Sequence, residues 1–271
     1  MSDFEIKIRE FITSVYGGNI NIENHSKFTV LMLPDKKVAF HAVPVHNVAD
    51  KNCFALLSDV YQKQGIRLIH LWEDYWVRKQ SIVESRVKAI LGNFVRLHAR
   101  KTVVERINTP AINSFLNKNH LLGSPACKYK YGLFYNNQLV AAASFSAMRS
   151  YWRNGEVFKS AEMVRFANLN GYLVAGGMGK LLACFIHKHR PDDVMSYADR
   201  EWSSGDSYEK LGFRKIETTP PQQFLINPDT MERHYTHRLQ CHSNSLPANN
   251  YLSVYNAGNI KYLMYLKEVE H

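Results

Sequence analysis

Apolar residues along this 271-residue chain alternate between the 3.6-residue period of helices and the patterns of strands, and this alternation restricts the fold to a mixture of both. A helical stripe at positions 4, 8, 11, 12 and 15 ends at Gly17-Gly18. In residues 1–92 the predicted strands are 28–33, 38–45 and 66–71, and the further predicted helices are 53–64 and 81–91. The order α-β-β-α-β-α predicts a compact α/β unit.

The same alternation predicts a second domain over residues 93–220. Its predicted strands are 97–107, 131–135, 138–145, 160–166 and 194–198, and its predicted helices are 111–119, a segment reaching about 189, and 207–211. Thr109 is expected to cap the first helix with Pro110 at its first position, and Asn136-Asn137 to form a hairpin turn. Residues 221–271 are predicted to be a C-terminal extension packed on the second domain, and the fold class is α/β (α+β).

The charge balance favours a polyanionic partner. The chain has 34 Lys and Arg against 24 Asp and Glu, a formal net charge of +10, and the phosphates of nucleic acid reward diffuse positive charge. No apolar run reaches the roughly 18–20 residues of a bilayer span, and the four cysteines form no C-x-x-C pair. We expect a soluble, unprocessed, cytoplasmic protein with reduced cysteines.

A glycine-rich turn, Gly176-Gly177-Met178-Gly179-Lys180, precedes one of the predicted helices. Such a turn presents unpaired backbone N–H groups at the positive end of the helix dipole, and its missing side chains let a pyrophosphate approach the main chain. On these grounds alone the turn is either a pyrophosphate site or a plain connection.

Four segments of the second domain follow one another in a specific order. They are Glu162-Met163-Val164-Arg165-Phe166, the glycine turn with Leu181-Leu182, Ser196-Tyr197-Ala198-Asp199-Arg200, and Tyr208-Glu209-Lys210-Leu211-Gly212-Phe213. Over roughly residues 130–216 this combination closely resembles the acetyl-CoA-binding half of GNAT-type N-acetyltransferases. The resemblance implies that Gly176, Gly177, Met178, Gly179 and Lys180 hold the pyrophosphate of acetyl-CoA. It also implies that Tyr208 protonates the leaving thiolate.

Two of the same segments, Glu162-x-x-Arg165-Phe166 and Ser196-Tyr197-Ala198-Asp199, also resemble the Mom-type DNA-modification proteins, a divergent GNAT branch that alters adenine bases. By that resemblance Arg165 and Asp199 lie near the reacting centre. The alternative is structural: Glu162 and Arg165 form an ion pair, and Asp199 caps a turn.

The first hundred residues resemble the Vsr-like endonuclease domain of phage-encoded homing-type nucleases. The matching segments are Pro34-Asp35-Lys36-Lys37-Val38-Ala39-Phe40, the run from Gly65 to Trp76, and the helix ending at Leu91-Gly92. Segments of the second half match as well, namely Phe115 to Gly123, Gly132 to Asn137, and Val254 to Tyr262. The resemblance covers nearly the whole chain and implies a bacterial or phage-infected cell as its setting.

Hydrolysis of DNA by such a domain needs acidic oxygens to hold Mg²⁺. By the resemblance, the first-strand position of the family's Asp falls on or near Val30 and the second-strand position on His41, while Glu5 and His46 match other positions. Because valine cannot ligate magnesium, we expect a degenerate, inactive nuclease site. Glu73 and Asp74 are expected to lie in a solvated turn between Trp72 and Trp76.

Basic residues interleaved with aromatic ones form the candidate nucleic-acid surface, since such residues hold phosphates and stack on bases. They also serve solubility on exposed hairpins, and that alternative stays open. The candidates are Arg96, Arg100 and Lys101, then Lys128 and Lys130 beside Tyr129 and Tyr131, and finally Arg149 and Arg153 around Tyr151-Trp152. Arg96, His98 and Arg100 are expected on one strand face, and the expected partner is double-stranded DNA.

The leading hypothesis is a DNA-associated protein derived from a homing-type endonuclease. Its GNAT/Mom-like domain would transfer an acyl group from acetyl-CoA to an amine, for example that of a nucleobase. The first alternative is a non-catalytic nucleic-acid-binding or assembly protein with both sites eroded. The second is an endonuclease that still cuts DNA with Mg²⁺.

Overall fold

The computed structural model describes residues 1–25, 28–47, 49–153, 155–236 and 251–267, with the backbone alone at His25 and Arg153. In chain order the elements are α1 (Asp3–Tyr16), β1 (Asn21–His25), β2 (Phe28–Leu33), β3 (Val38–Val43), α2 (Cys53–Lys63), β4 (Arg67–Trp72), α3 (Glu73–Leu91), β5 (Val95–His98), β6 (Val103–Arg106), α4 (Thr109–Asn119), β7 (Tyr129–Tyr135), β8 (Gln138–Phe145), β9 (Arg149–Arg153), β10 (Glu156–Asn168), β11 (Tyr172–Ala175), α5 (Gly177–His189), β12 (Asp193–Asp199), α6 (Asp206–Glu209), β13 (Arg214–Thr218), β14 (Gln223–Asn227), β15 (Glu232–Tyr235), β16 (Leu252–Tyr255) and β17 (Asn259–Tyr265). Helices and strands alternate along the chain and the strands form several sheets, so the predicted α/β class is confirmed.

The chain forms two compact units that interleave in sequence. Unit 1 consists of Met1–Val83, Ala198–Gly205 and Thr218–Ile260, and unit 2 consists of Glu84–Tyr197, Asp206–Glu217 and Lys261–His271. The division into domains 1–92, 93–220 and 221–271 stays a prediction. Of the predicted C-terminal extension, residues 221–260 belong to unit 1 and residues 261–271 to unit 2.

Unit 1 is built on a four-stranded sheet in the order β1-β2-β3-β4. The first three strands are antiparallel neighbours, whereas β3 and β4 are parallel. Helix α1 begins with a capping box between Ser2 and Glu5 and ends at Gly17, whose φ of 69° is left-handed. The predicted helix–strand order is confirmed, with β1 as the strand that sequence reasoning missed.

A three-stranded sheet in the order β15-β14-β16 completes unit 1. Its buried side chains pack against those of β3, β4 and α2 in one apolar cluster, made of Val43, Val45, Phe54, Trp72, Phe224, Ile226, Val254 and Ala257. Strands β14 and β16 of the predicted extension therefore pack on the N-terminal segment, whereas most of β17 lies in the eight-stranded sheet.

Most residues of the eight-stranded sheet belong to unit 2, and its order is β13-β17-β12-β10-β8-β7-β6 with β9 paired to β10. The hairpin β7–β8 turns at Asn136 and Asn137, both with positive φ, as the sequence predicted. Helix α4 packs on Ala142, while Phe185 of α5 stacks on Phe145 at 4.1 Å between ring centroids. Since alternate strand residues face opposite sides, the two helices cover opposite faces of the sheet.

Several element boundaries differ from the prediction for local reasons. Helix α3 begins at Glu73, not Ser81, and contains a non-helical residue at Lys79. The cap of α4 is Asn108, whose side chain accepts from the amide of Ala111, so Thr109 is the first helical residue. The predicted strand 97–107 is broken by a 3-10 turn at Ala99–Lys101.

The sequence also predicts that the chain has no bilayer-spanning segment and that its cysteines are reduced. Within the described ranges, no helix is both long enough and apolar enough to cross a bilayer. Cys53, Cys127 and Cys184 carry free thiols, and Cys241 lies outside the described residues.

Candidate functional site

The parallel strands β10 and β12 of unit 2 pair over only three residues before their register ends. The pairs are Ser160 with Asp193, Ala161 with Val194, and Glu162 with Met195. On the other side of β10 the register with β8 shifts between Met163 and Arg165, which marks a β-bulge. Beyond the last pair the link is a side chain, since the hydroxyl of Ser196 donates to the carbonyl of Met163 at 2.9 Å. The main-chain ladder between β10 and β12 therefore stops at this point.

The hydroxyl of Tyr208 lies at the place where the ladder stops. It is 3.1 Å from the Ser196 hydroxyl and donates to the carbonyl of Tyr197 at 3.4 Å. Its ring stacks on Tyr262 with centroids 5.1 Å apart and meets Phe213 edge-on. Burial raises the pKa of Tyr208, so the phenol keeps its proton at neutral pH.

The charges of Arg165 and Glu162 act on this phenol in opposite directions, the first lowering and the second raising the pKa of Tyr208. Burial raises the pKa of the Glu162 carboxyl, and the positive charges of Arg165 and Arg149 oppose that shift. Arg165 donates through Nη1 to the carbonyl of Val164 at 2.8 Å. The ion pairs formed by the described residues do not include one between Glu162 and Arg165. Because the charge of Arg165 still lowers the pKa of Glu162, the structural interpretation of these two residues stays a prediction.

The glycine turn leads directly into α5, as predicted. Gly176 is the N-cap with a φ of 78°, which side-chain-bearing residues rarely adopt, and no side chain caps the helix start. Gly177 and Gly179 lie in close contact with neighbouring side chains, because a Cβ there would lie 3.1 Å from Val174 and 2.9 Å from Leu211. Because no side chain caps the start of α5, its first backbone amides can donate to an external acceptor.

Lys180 does not take the position predicted for it. Its amide donates to the carbonyl of Gly176 at 3.0 Å, so it already belongs to the helix ladder. Its ammonium donates to the carbonyl of Ala99 at 2.9 Å and also to that of Thr102. Both groups are engaged within the protein, and Lys180 tethers the 3-10 turn to α5 rather than reaching a cofactor.

Asp199 ends strand β12 and belongs to unit 1, whereas Arg165 and Tyr208 belong to unit 2. Its carboxylate accepts from the amide of Glu201 at 2.9 Å, and its carbonyl accepts from the amides of Trp202 and Ser203. This is the turn-capping role that formed the structural alternative. A part for Asp199 near the reacting centre stays a prediction.

The predicted nucleic-acid residues are distributed over several elements of unit 2. Arg96 is exposed on β5, but Arg100 and Lys101 lie in the 3-10 turn, so the expected strand face of Arg96, His98 and Arg100 is interrupted. Lys128 is exposed just before β7, and Lys130 lies on β7 between two tyrosines. Arg149 is exposed on β9, next to the 76% exposed Trp152, and Arg153 is the last residue of that strand.

In unit 1, the positions assigned by the nuclease resemblance hold structural groups. Val30 is buried on β2 opposite His41, and Glu5 closes the capping box of α1. His41 and His70 are both buried, with 2.8 Å between their Nδ1 atoms. Among the residues that the structure describes, no group of three His, Cys, Asp or Glu side chains is arranged to hold a metal ion. The loss of nuclease activity stays a prediction.

The solvated turn expected at Glu73 and Asp74 is wrong. Asp74 is 2% exposed and forms a two-point ion pair with Arg233, whose Nε and Nη2 lie 2.9 and 2.8 Å from its two oxygens. Glu73 accepts from the amide of Val45 at 3.0 Å. Near by, the indole of Trp72 donates to the buried Glu201 carboxyl at 2.8 Å. Sequence reasoning missed this cluster because its partners are far apart along the chain.

Comparison with known proteins gives no family model and no curated protein that matches the chain. Among solved structures it is similar to a GNAT family acetyltransferase from Elizabethkingia anophelis with acetyl-CoA bound, at 17% identity, covering 61% of this chain and 99% of that one with a TM-score of 0.38. It is similar to a Bacillus subtilis acetyltransferase in complex with CoA, at 14% identity, 61% and 99% coverage and a TM-score of 0.37.

A third similar structure is the ribosomal-protein-S18-alanine N-acetyltransferase from Escherichia coli, at 12% identity, 63% and 97% coverage and a TM-score of 0.37.

Proposed function

We propose that unit 2 transfers an acyl group from an acyl-CoA to an amine. The observation that carries the proposal is the position of the Tyr208 hydroxyl at the point where the β10–β12 ladder stops. Strands that part in this way leave main-chain groups free to pair with an extended ligand. A protonated phenol beside them can then supply a proton to a leaving group.

The residues of the glycine turn fit the diphosphate of CoA. The start of α5 has no side-chain cap, Gly176 holds the left-handed φ that opens it, and the next three positions are glycine, methionine and glycine. Amides at a helix start together with the helix dipole favour an anion. Because Lys180 is engaged elsewhere, we assign the diphosphate to the backbone of Gly177, Met178 and Gly179.

An acyl-CoA bound at this turn would supply the acyl group as an activated thioester. Acyl transfer to an amine requires a neutral nucleophile and an acid for the departing thiolate. Glu162, whose pKa is raised by burial, is suited to take the proton from an ammonium group. Tyr208 holds the proton that the thiolate needs, and Arg165 adds positive charge at the same place.

Replacing Gly176 by valine is expected to weaken CoA binding at least about tenfold. Valine disfavours the φ of 78° and would distort the first turn of α5, so the amides no longer converge on the diphosphate. Gly171→Val is the matched control, because Gly171 has a φ of 81° in the same unit with no atom within 4 Å of an added Cβ. Calorimetric titration with CoA measures the effect. Equal losses in both variants, or no binding of CoA to the wild-type protein at millimolar concentration, would refute the proposal.

Tyr208→Phe is expected to lower the turnover of acetyl-CoA about a hundredfold while leaving CoA affinity unchanged, because only the proton donor is removed. Release of the CoA thiol in the presence of a panel of amines measures turnover. Tyr265→Phe removes a hydroxyl from a 42% exposed residue of the same unit and serves as the control. Unaltered turnover in Tyr208→Phe would remove that residue from the chemistry.

The acceptor class we propose is an amine, including the exocyclic amine of a nucleobase in double-stranded DNA. The non-catalytic alternative predicts the opposite result in the titration, namely DNA binding without CoA binding. Descent of unit 1 from a nuclease is a separate proposal, on which the acyltransferase assignment does not depend.

A further inference from the structure

A dense group of positive side chains surrounds two tyrosines on β7 of unit 2. We call it the basic face and define it as Arg106, Lys128, Tyr129, Tyr131, Lys188 and His189. Arg106 on β6 is directly opposite Tyr131 in the strand register. The Tyr131 hydroxyl and the Nε2 atom of His189, at the end of α5, are 2.7 Å apart.

The cations of the basic face are held in place by the aromatic rings. The ammonium of Lys128 lies 5.5 Å from the centroid of Tyr129, and that of Lys188 lies 5.4 Å from the centroid of Tyr131. Both distances are within cation–π range. The rings of Tyr129 and His189 are themselves in contact, with centroids 4.1 Å apart. Two exposed lysines are therefore partly ordered before any ligand arrives, which lowers the entropic cost of binding one.

The end of a helix does not by itself explain this concentration of charge. The dipole of α5 favours a cation at its C-terminus and would raise the pKa of His189. Instead the pKa of His189 is lowered, first by partial burial and then by the positive charges of Arg106, Lys188 and Lys128. Those three cations come from β6, α5 and the segment before β7, so the repulsion arises from tertiary packing. An anion placed among them would relieve it.

We propose that the basic face binds the phosphodiester backbone of double-stranded DNA. The cations Arg106, Lys128 and Lys188 are exposed at the protein surface, and such a group matches a polyanion rather than a small enclosed ligand. Among nucleic acids, duplex DNA has a high density of charge, about one phosphate per 1.7 Å of helix axis. The net charge of +10 adds long-range attraction of the same sign. Contacts of this kind read the backbone and not the base sequence.

The test is the double variant Lys128→Ser/Lys188→Ser, compared with Lys118→Ser/Lys215→Ser. The control removes the same charge from exposed lysines of unit 2 on α4 and β13, and α4 covers the opposite face of the sheet. Fluorescence anisotropy with a labelled duplex of about 20 base pairs measures affinity between about 50 and 200 mM salt. The basic-face variant is expected to bind at least about tenfold more weakly. The slope of log affinity against log salt should fall by about 2, since each lost phosphate contact contributes about 0.9.

A second measurement, the titration of His189, tests whether the duplex binds at the basic face. The NMR signal of His189, recognised by its loss in His189→Gln, should titrate at higher pH once the duplex is bound, because phosphates offset the neighbouring cations. Equal losses in the two lysine variants would overturn the proposal. So would an unchanged His189 titration with DNA bound, or equally tight and equally lysine-dependent binding of heparin. Neither measurement uses CoA, so failure here leaves the acyltransferase proposal untouched.

Discussion

Replacing Arg233 by methionine should lower the free energy of unfolding of unit 1 by about 3–5 kcal/mol, the usual cost of leaving one partner of a buried ion pair alone. The guanidinium makes two hydrogen bonds to Asp74 and lies over the rings of Trp72 and Tyr75, with 4.5 and 4.6 Å to their centroids. Methionine fills much of the same volume but leaves the carboxylate of Asp74 buried without its counter-charge. Unfolding by urea, followed through tryptophan fluorescence, measures the loss.

Two further variants show whether the stranded charge is the cause. Asp74→Leu/Arg233→Met removes both charges and should recover most of the stability, because an apolar pair often replaces a buried ion pair at little cost. Lys88→Met breaks the partly exposed pair with Glu84 and should cost less than about 1 kcal/mol. If the double variant is as unstable as Arg233→Met, the packing of the arginine stem and not the charge pair holds this region together.

Glu201→Gln should abolish a loss of stability, on the order of a few kcal/mol, that the wild-type protein shows as the pH rises from 4.5 to 8. Burial, the nearby carboxylate of Asp199 and then that of Asp74 raise the pKa of Glu201 to about 8, while Arg233 and the Trp72 hydrogen bond act against the shift. The unfolded chain releases this proton near pH 4.5, the ordinary pKa of a glutamate carboxyl. Between pH 4.5 and 8 the folded state therefore holds more protons, and its stability falls as pH rises, by about 1.4 kcal/mol per pH unit.

Glutamine can still accept from the Trp72 indole but has no proton to lose. The stability difference, variant minus wild type, should grow from pH 4.5 to pH 8 and stay constant above. Comparing the two proteins at each pH also cancels the contribution of His70, whose pKa is lowered to about 3 by burial and which destabilises the fold on the acid side of pH 6.5. Glu10→Gln, at an exposed position of α1, serves as the control for replacing a carboxyl by an amide. A flat difference for Glu201→Gln would mean that its carboxyl ionises normally in the fold.

Much of the local architecture could be predicted from the sequence. Gly17, the hairpin residues Asn136-Asn137 and the glycine turn at Gly176 were each expected where they occur, because caps and turns depend on a few neighbouring residues. The errors at element boundaries also have local causes. Asn108 and Thr109 can both cap a helix, and the sequence pattern does not show which of the two side-chain oxygens accepts from the amide of Ala111.

The candidate site was predicted less completely. Tyr208 and the glycine turn were assigned roles, whereas Ser196, which links strand β10 to the Tyr208 hydroxyl, was only part of a matching segment and had no role. Lys180 was assigned to the cofactor from its place in the turn, although its ammonium bonds to carbonyls 78 and 81 residues away. The sequence showed only Lys128, Tyr129 and Tyr131 of the basic face, because Arg106, Lys188 and His189 are contributed by other elements.

The order of helices and strands, their caps and the positions of the turns were encoded within stretches of a few residues, and so the sequence was enough to find them. The assignment of Thr218–Ile260 to the N-terminal unit, the pairing of Asp74 with Arg233 and the meeting of Ser196 with Tyr208 were decided only in three dimensions. These contacts join residues whose local patterns are unremarkable on their own. Their energy comes from burying apolar surface and pairing polar groups across long stretches of chain, and such pairings leave no periodic signal in the sequence.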